Sequence, residues 1–299
     1  MARVSIGGQA VIEGIMMKNT DKYAVAVRKP NQEIEVKTEK YQAMSDKHKI
    51  CGVPLIRGVF NFVESLVIGT KTLLYSAEFY EEEEDDKPKD EKKESLMMGL
   101  TVAMSIVLAI GLFMLLPTWI VSWLEKVIDN HFVLNLLEGV VRLGIFLLYV
   151  ILISQMEDIK RTFMYHGAEH KTINCLEHGK ELTVENILGE SRFHKRCGTS
   201  FLLIVMVVSI LVFMCVKVDT LWLRMVVRVL LVPLIAGISY EFIKYAGRSE
   251  SAFANALSKP GMWLQRLTTK EPTADMVEVA IASVEAVLDW RKNLEEADK

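Results

Sequence analysis

Apolar residues along the chain gather in four blocks, Leu96 to Leu124, Phe132 to Ser154, Thr199 to Val218 and Leu221 to Ile243. Each is about 20 residues or longer, the length a helix needs to cross a hydrocarbon core about 30 Å thick. The pattern therefore predicts four transmembrane helices. Ahead of them, Pro54 to Phe79 is apolar but carries Arg57, Glu64, Lys71 and Glu78 at every seventh position. That spacing keeps the charges on one stripe of a helix, so the segment is expected to lie in the membrane surface with its apolar side down. The alternative, a fifth span, would move the N-terminus to the opposite face.

Residues 1–50 read as a small β-rich unit. The runs YAVAVR and EIEVKTEKY have strand composition and flank a turn at Lys29-Pro30-Asn31-Gln32. The pairs Gly7-Gly8 and Glu13-Gly14 predict tight bends, with Glu13 either a turn carboxylate or a further acidic group for a site. Residues 81–95 form an acidic linker, with nine acidic and four basic residues between Glu81 and Glu94, a composition expected to remain solvated and disordered. After the last block, Trp263 begins an amphipathic patch. Thr273 to Glu296 is then expected as a helix burying Met276, Val279, Ala280, Val284, Val287 and Leu288. The organisation that follows is a β unit (1–50), an interfacial helix (51–80), a linker (81–95), a four-span bundle (96–243) with a polar loop at 155–198, and a C-terminal tail (244–299).

Composition agrees with a membrane protein: 51% of the 299 residues are hydrophobic, and the mean hydropathy is positive. The net charge of −3 sums an acidic run and several basic loops and gives no support to nucleic-acid binding. The loop 155–198 holds seven basic residues, whereas the two turns on the opposite side hold only Lys126 and Lys217. By the positive-inside rule the loop, the N-terminal unit and the tail are expected in the cytoplasm as a cap on a multi-pass protein of the bacterial inner membrane. The first residues lack an apolar stretch of signal-peptide length, so they are not expected to be a secretory leader. In that compartment the four cysteines are expected to stay reduced. Glu138 and Arg142 in the second block and Arg224 and Arg228 in the fourth are charges at membrane depth, expected to pair between helices.

The densest chemistry is YHGAEHKTINCLEH, Tyr165 to His178. Its H-x-x-E-H order puts His166 and His170 one helical turn apart, a spacing that suits two ligands of a Zn²⁺ ion, with Glu169 beside them as a base. The alternative is a hydrogen-bonded turn of common polar residues. A second cluster, His194-Lys195-Arg196-Cys197, adds an imidazole and a thiol whose acidity is raised by the neighbouring cations. Glu241, downstream as the third ligand of H-x-x-E-H enzymes is, completes the candidate ligand set of His166, His170, His194, Cys197 and Glu241. Cys175 is rotated away from the histidine face and ranks last.

The segments GGQAVIEGIMMK, PLIRGVFNFVESLVIG, YHGAEHKTIN, RFHKRCGTSFLLIV, AGISYEFIKYAGR and PGMWLQRLTTKEP together resemble the YqhQ-like family of bacterial membrane proteins, over nearly the whole chain. The resemblance implies membrane topology and places the chain among domains of unknown function often labelled metal-dependent enzymes. The expectation is an α-helical integral membrane protein with a small β-containing cap. It is a metal-dependent, hydrolytic enzyme or, alternatively, a non-enzymatic scaffold or assembly and translocation factor with a structural His/Cys zinc site or no metal. Membrane lipids are the expected partners, with other membrane proteins as candidates.

Overall fold

The computed structural model describes residues 6–44, 49–80, 91–218, 220–249 and 251–292. Two compact units form, one of residues 1–81, 152–203 and 236–299, the other of residues 82–151 and 204–235. The strands are β1 (Gly7–Val11), β2 (Gly14–Lys18), β3 (Lys22–Arg28) and β4 (Ile34–Lys40). The helices among the described residues are α1 (Ile56–Ala77), α2 (Glu91–Ile110), α3 (Leu116–Ser122), α4 (His131–Ile153), α5 (Glu157–Glu177), α6 (Val184–Leu188), α7 (Gly198–Met214), α8 (Leu221–Arg248), α9 (Ala252–Thr268) and α10 (Ala274–Val287).

In the first unit the four strands make an antiparallel meander in sequence order. β3 and β4 flank the turn at Lys29–Gln32, where the Lys29 amide donates to Glu33 O. Strand alternation splits the side chains between two cores. Ile15, Met17, Ala24 and Ala26 are buried with Tyr165 and Ala168 of α5 and with Met276, Val277, Ala280 and Val284 of α10. Met16, Tyr23, Val25 and Val27 face Ile68 and Tyr75 of α1. Gly7-Gly8, expected as a bend, instead opens β1, opposite Lys18 and Met17. The Glu13-Gly14 pair does turn the chain, with Glu13 at φ 47° and its carboxylate paired with Arg161.

α10 begins after Thr273 and buries Met276, Val279, Ala280, Val284 and Val287, the stripe that its 3.6-residue periodicity predicts. It ends at Val287, and the last part of the expected span, 293–296, lies outside the described residues. The acidic segment 81–95 falls mostly outside the described residues; its last residues, from Glu91, lie in α2.

In the second unit α2 runs through a π-helical turn, Gly111–Leu115, into α3. Among the described residues three helices are long and apolar enough to cross a membrane: Gly99–Lys126, His131–Ile153 and Trp222–Gly247. The expected span at Thr199 to Val218 is a shorter apolar helix, α7, of 17 residues. At 1.5 Å per residue it is about 25 Å long, less than the hydrocarbon thickness. Just ahead of it, Arg196 pairs with Glu177 and Cys197 meets His166.

Glu138 is 3% exposed and its Oε1 accepts from Arg142 Nη2 at 2.7 Å, from Thr118 Oγ1 at 3.0 Å and from Arg228. The Phe213 ring lies 5.1 Å from both guanidinium carbons. One carboxylate therefore bridges two buried cations that would otherwise repel. Glu138→Ala should lower stability by about 3–5 kcal/mol, the cost of leaving buried charges uncompensated. The check is thermal unfolding of detergent-purified protein.

Candidate metal centre

The site is built on α5. His166 and His170 lie one turn apart with ring centroids separated by 4.4 Å. The imidazole Nδ1 of His166 is 2.8 Å from Thr268 O, and Nδ1 of His170 is 2.7 Å from Arg192 O. A carbonyl can only accept, so both Nδ1 atoms carry the proton and both Nε2 lone pairs are free to bind a metal. Cys197 sits just before the N-terminus of α7, with Sγ 3.2 Å from His166 Nε2 and accepting from Thr199 N–H at 3.3 Å. The ligand atoms of His166, His170 and Cys197 all lie within 4.8 Å of one another. A tetrahedral Zn²⁺ with Zn–S about 2.3 Å and Zn–N about 2.0 Å places such ligands about 3.5 Å apart, so small side-chain shifts bring this set into range.

The supporting layer explains why the imidazoles face inward. A second stripe of α5, Gly167, Lys171 and Asn174, holds neighbouring backbone. Lys171 Nζ donates to Leu188 O at 2.9 Å and Glu190 O at 2.7 Å, while Asn174 Nδ2 donates to Ser191 O at 2.7 Å. These bonds fix the 188–193 segment, which carries Arg192 O to His170. On the other side, the Lys270 amide donates to Phe163 O at 2.8 Å, and a Cβ on Gly167 would lie 1.9 Å from Lys270 O. Only a glycine admits the 268–270 backbone that supplies Thr268 O to His166.

Glu169 is 5% exposed, and its Oε2 is 3.9 Å from His166 Nε2. Burial pushes its carboxyl up from the usual range, against the opposing pull of His166, His194 and the Gly8 amide. Gly8 of β1 seals it: a Cβ there would stand 2.8 Å from Glu169 Cγ. Burial is also the largest influence on His170 and pushes its imidazole down, toward the neutral form that a metal ligand requires.

Not every sequence-predicted ligand joins this cluster. His194 is adjacent, its ring 5.7 Å from that of His170, but its Nε2 faces Glu177 Oε2 at 3.4 Å. Its backbone is clamped by the fully buried Gln265, whose Oε1 accepts from His194 N–H at 2.9 Å and whose Nε2 donates to His194 O at 2.8 Å. Glu241 lies apart from the cluster, accepting from Arg57 Nε at 2.7 Å and from Leu55 N–H at 3.4 Å. The ion pair with Arg57 leaves no uncompensated charge for a metal. Cys175 points into the hydrophobic core, where burial raises its thiol to about 11. Sequence reasoning missed Glu177, Gln265 and the two carbonyls at Arg192 and Thr268. A carbonyl has no side-chain signature; Gly167 inside an otherwise regular helix is the one local sign of a close approach.

Comparison with known proteins places this geometry in a family without an assigned activity. A family model described as "Protein of unknown function (DUF1385)" matches residues 53–290, a range that contains His166, Glu169, His170 and Cys197. The chain is 34% identical over 296 residues to "Uncharacterized protein YqhQ" of Bacillus subtilis (strain 168), covering 94% of this chain and 92% of that protein. No solved structure matches. With most of its length inside that family model and YqhQ aligned to it almost end to end, this chain belongs to the DUF1385 family.

Proposed function

We propose that this protein is a metal-dependent hydrolase embedded in the bacterial inner membrane, with Zn²⁺ held by His166, His170 and Cys197 on the cytoplasmic side. The observation that carries the reading is the buried Glu169 carboxylate beside three converging ligand atoms, its Oε2 3.9 Å from His166 Nε2. Three protein ligands rather than four leave a coordination position open, the arrangement of catalytic rather than structural zinc. Zinc when bound supplies a Lewis acid that makes water acidic near neutral pH. The chain's own groups do the rest: Glu169 Oε2 takes and returns the proton, the Gly8 amide steadies that carboxylate, and the carbonyls of Thr268 and Arg192 hold the two imidazoles in the ligating tautomer.

The three apolar helices support a membrane setting, and the basic residues of the 155–198 loop support a cytoplasmic site. The substrate class that fits is lipid-linked or membrane-protein. Glu169→Gln tests the reading because it keeps the shape and removes the base. The expected result is an abundant protein with its full metal content and a loss of function of about 100-fold or more in a complementation assay. A Glu169→Gln protein that is abundant, metal-loaded and fully functional would end the hydrolase reading and favour a membrane scaffold with a structural His/Cys site.

A further inference from the structure

α1 carries apolar residues on two sides. Inward, Ile68 and Tyr75 pack on the sheet beside the buried Gly58, Gly69, Thr72 and Ser76, while Val63, Leu66 and Val67 on the opposite side are 44%, 53% and 62% exposed. The inward hydroxyls are satisfied locally, Thr72 donating to Gly69 O at 3.1 Å and Ser76 to Leu73 O at 2.7 Å. The charged stripe read from the sequence does not face solvent alone. Arg57 pairs with Glu241, Glu64 accepts from Tyr41 OH at 2.7 Å, and Lys71 pairs with Glu39. Folding in water would turn the apolar stripe of such a helix inward. Here the closest inward approaches are made at Gly58 and Gly69, and a second apolar stripe, Val63, Leu66 and Val67, stays outward, the pattern of a helix packed in lipid.

α9 likewise keeps an apolar stripe outward. Ala254, Ser258, Gly261, Leu264 and Gln265 are buried, whereas Phe253 and Trp263 are 63% and 54% exposed, with Lys259 and Arg266 exposed on the flank. An apolar stripe with a tryptophan and flanking cations is the composition of a helix at the headgroup boundary. What covers these faces is indicated by α8. α1 packs on Gly237–Glu241: a Cβ on Gly58 would lie 2.9 Å from Gly237 Cα, and Asn61 Nδ2 donates to Tyr240 OH at 2.8 Å. Those residues fall inside Trp222–Gly247, one of the helices long and apolar enough to cross a membrane. A helix locked to that stretch shares its depth.

We infer that the outward faces of α1 and α9 together form a seat that lies in the lipid bilayer at the boundary between headgroups and acyl chains. Thr268 of α9 supplies the carbonyl to His166, and α1 is linked to the centre indirectly: its Gly69 O accepts at 3.5 Å from Nε2 of Gln9, the residue after the Gly8 that seals Glu169. The seat therefore holds the cluster at the membrane surface. The inference stands on packing alone and does not depend on whether the centre is catalytic.

The test uses the unmodified full chain reconstituted in phosphatidylethanolamine and phosphatidylglycerol vesicles that contain a phospholipid with a diazirine near the top of one acyl chain. After irradiation, adducts are mapped by mass spectrometry of peptides. Adducts are expected within 56–77 and 252–268 at yields within about threefold of those in Trp222–Gly247, and at least tenfold lower in β4. Adducts on the apolar spans with none on α1 and α9, or on only one of the two, overturn the shared seat and mean that protein covers those faces. Because the readout needs neither metal nor turnover, a failed hydrolase reading leaves it unchanged.

Discussion

His170→Ala is expected to strip the metal: protein purified without chelator should carry about one Zn²⁺ per chain, and the variant less than about a tenth of that. The side chain is 1% exposed, so no outside group can replace the lost nitrogen, and two ligands do not retain Zn²⁺ against competition from water and buffer. The same change frees Arg192 O, which accepted from Nδ1 at 2.7 Å, and leaves a buried carbonyl unsatisfied at a cost of about 1–3 kcal/mol. Part of any destabilisation will therefore come from the hydrogen bond and part from the metal. A strong chelator separates them. It should lower the unfolding temperature of the parent protein by an amount set by metal affinity, about 4 kcal/mol for a metal present at 1,000 times its Kd, and leave His170→Ala unchanged. Cys197→Ser supplies the second variant, since it removes the sulfur but neither of the imidazole-to-carbonyl bonds. Elemental analysis with thermal unfolding is the measurement, and a His170→Ala protein holding a full equivalent of zinc would remove the centre proposed here.

The portions of this structure legible in the sequence are those with local causes. The histidine pair was readable because i and i+4 share a helix face wherever a helix forms. Cys197 was readable from Lys195 and Arg196 beside it and from the apolar run that starts after it. The β3–β4 hairpin was readable from its turn residues, and three apolar helices from uninterrupted hydrophobic length. α1 was recognised as amphipathic, but the direction of its faces depends on Glu39, Tyr41 and Glu241, which lie at sequence distances no periodicity reports.

The third member of the cluster shows the same limit. His194 and Cys197 are three residues apart and both suit zinc, so spacing alone cannot tell which of them meets the histidine pair. Gln265, 71 residues beyond His194, sets that loop so that the imidazole meets Glu177 while the thiol meets His166. Glu241 was eligible by order along the chain, yet Arg57, 184 residues earlier, already satisfies its charge. β1 was hidden for a related reason. Gly8 reads as a bend when only its own flexibility is considered, and as a strand residue once Glu169 has to fit against it.

Gly167→Ala should have an effect out of proportion to one methyl group. Glycine in a helix is ordinarily worse than alanine by about 0.5–1 kcal/mol, so the substitution should stabilise wherever there is room. At Gly144 in α4 nothing lies within 4 Å of the added Cβ, and Gly144→Ala is expected to be neutral or mildly stabilising. At Gly167 the Cβ would meet Lys270 O at 1.9 Å, and the obstacle is backbone, which has no rotamer to adopt. The 268–270 segment has to move away by more than an ångström, breaking the bond from the Lys270 amide to Phe163 O and withdrawing Thr268 O from His166 Nδ1. Overpacking of this kind costs about 1–3 kcal/mol, and loss of a carbonyl that orients a metal-bound imidazole typically weakens metal binding about 10–100-fold. Gly167→Ala should therefore lower both the unfolding temperature and the zinc affinity measured by chelator competition, although it removes no ligand and adds no charge. If zinc affinity stays at the parent value while stability falls, the Thr268 carbonyl does not tune His166, and the hydrogen bond between them serves only to hold the chain in place.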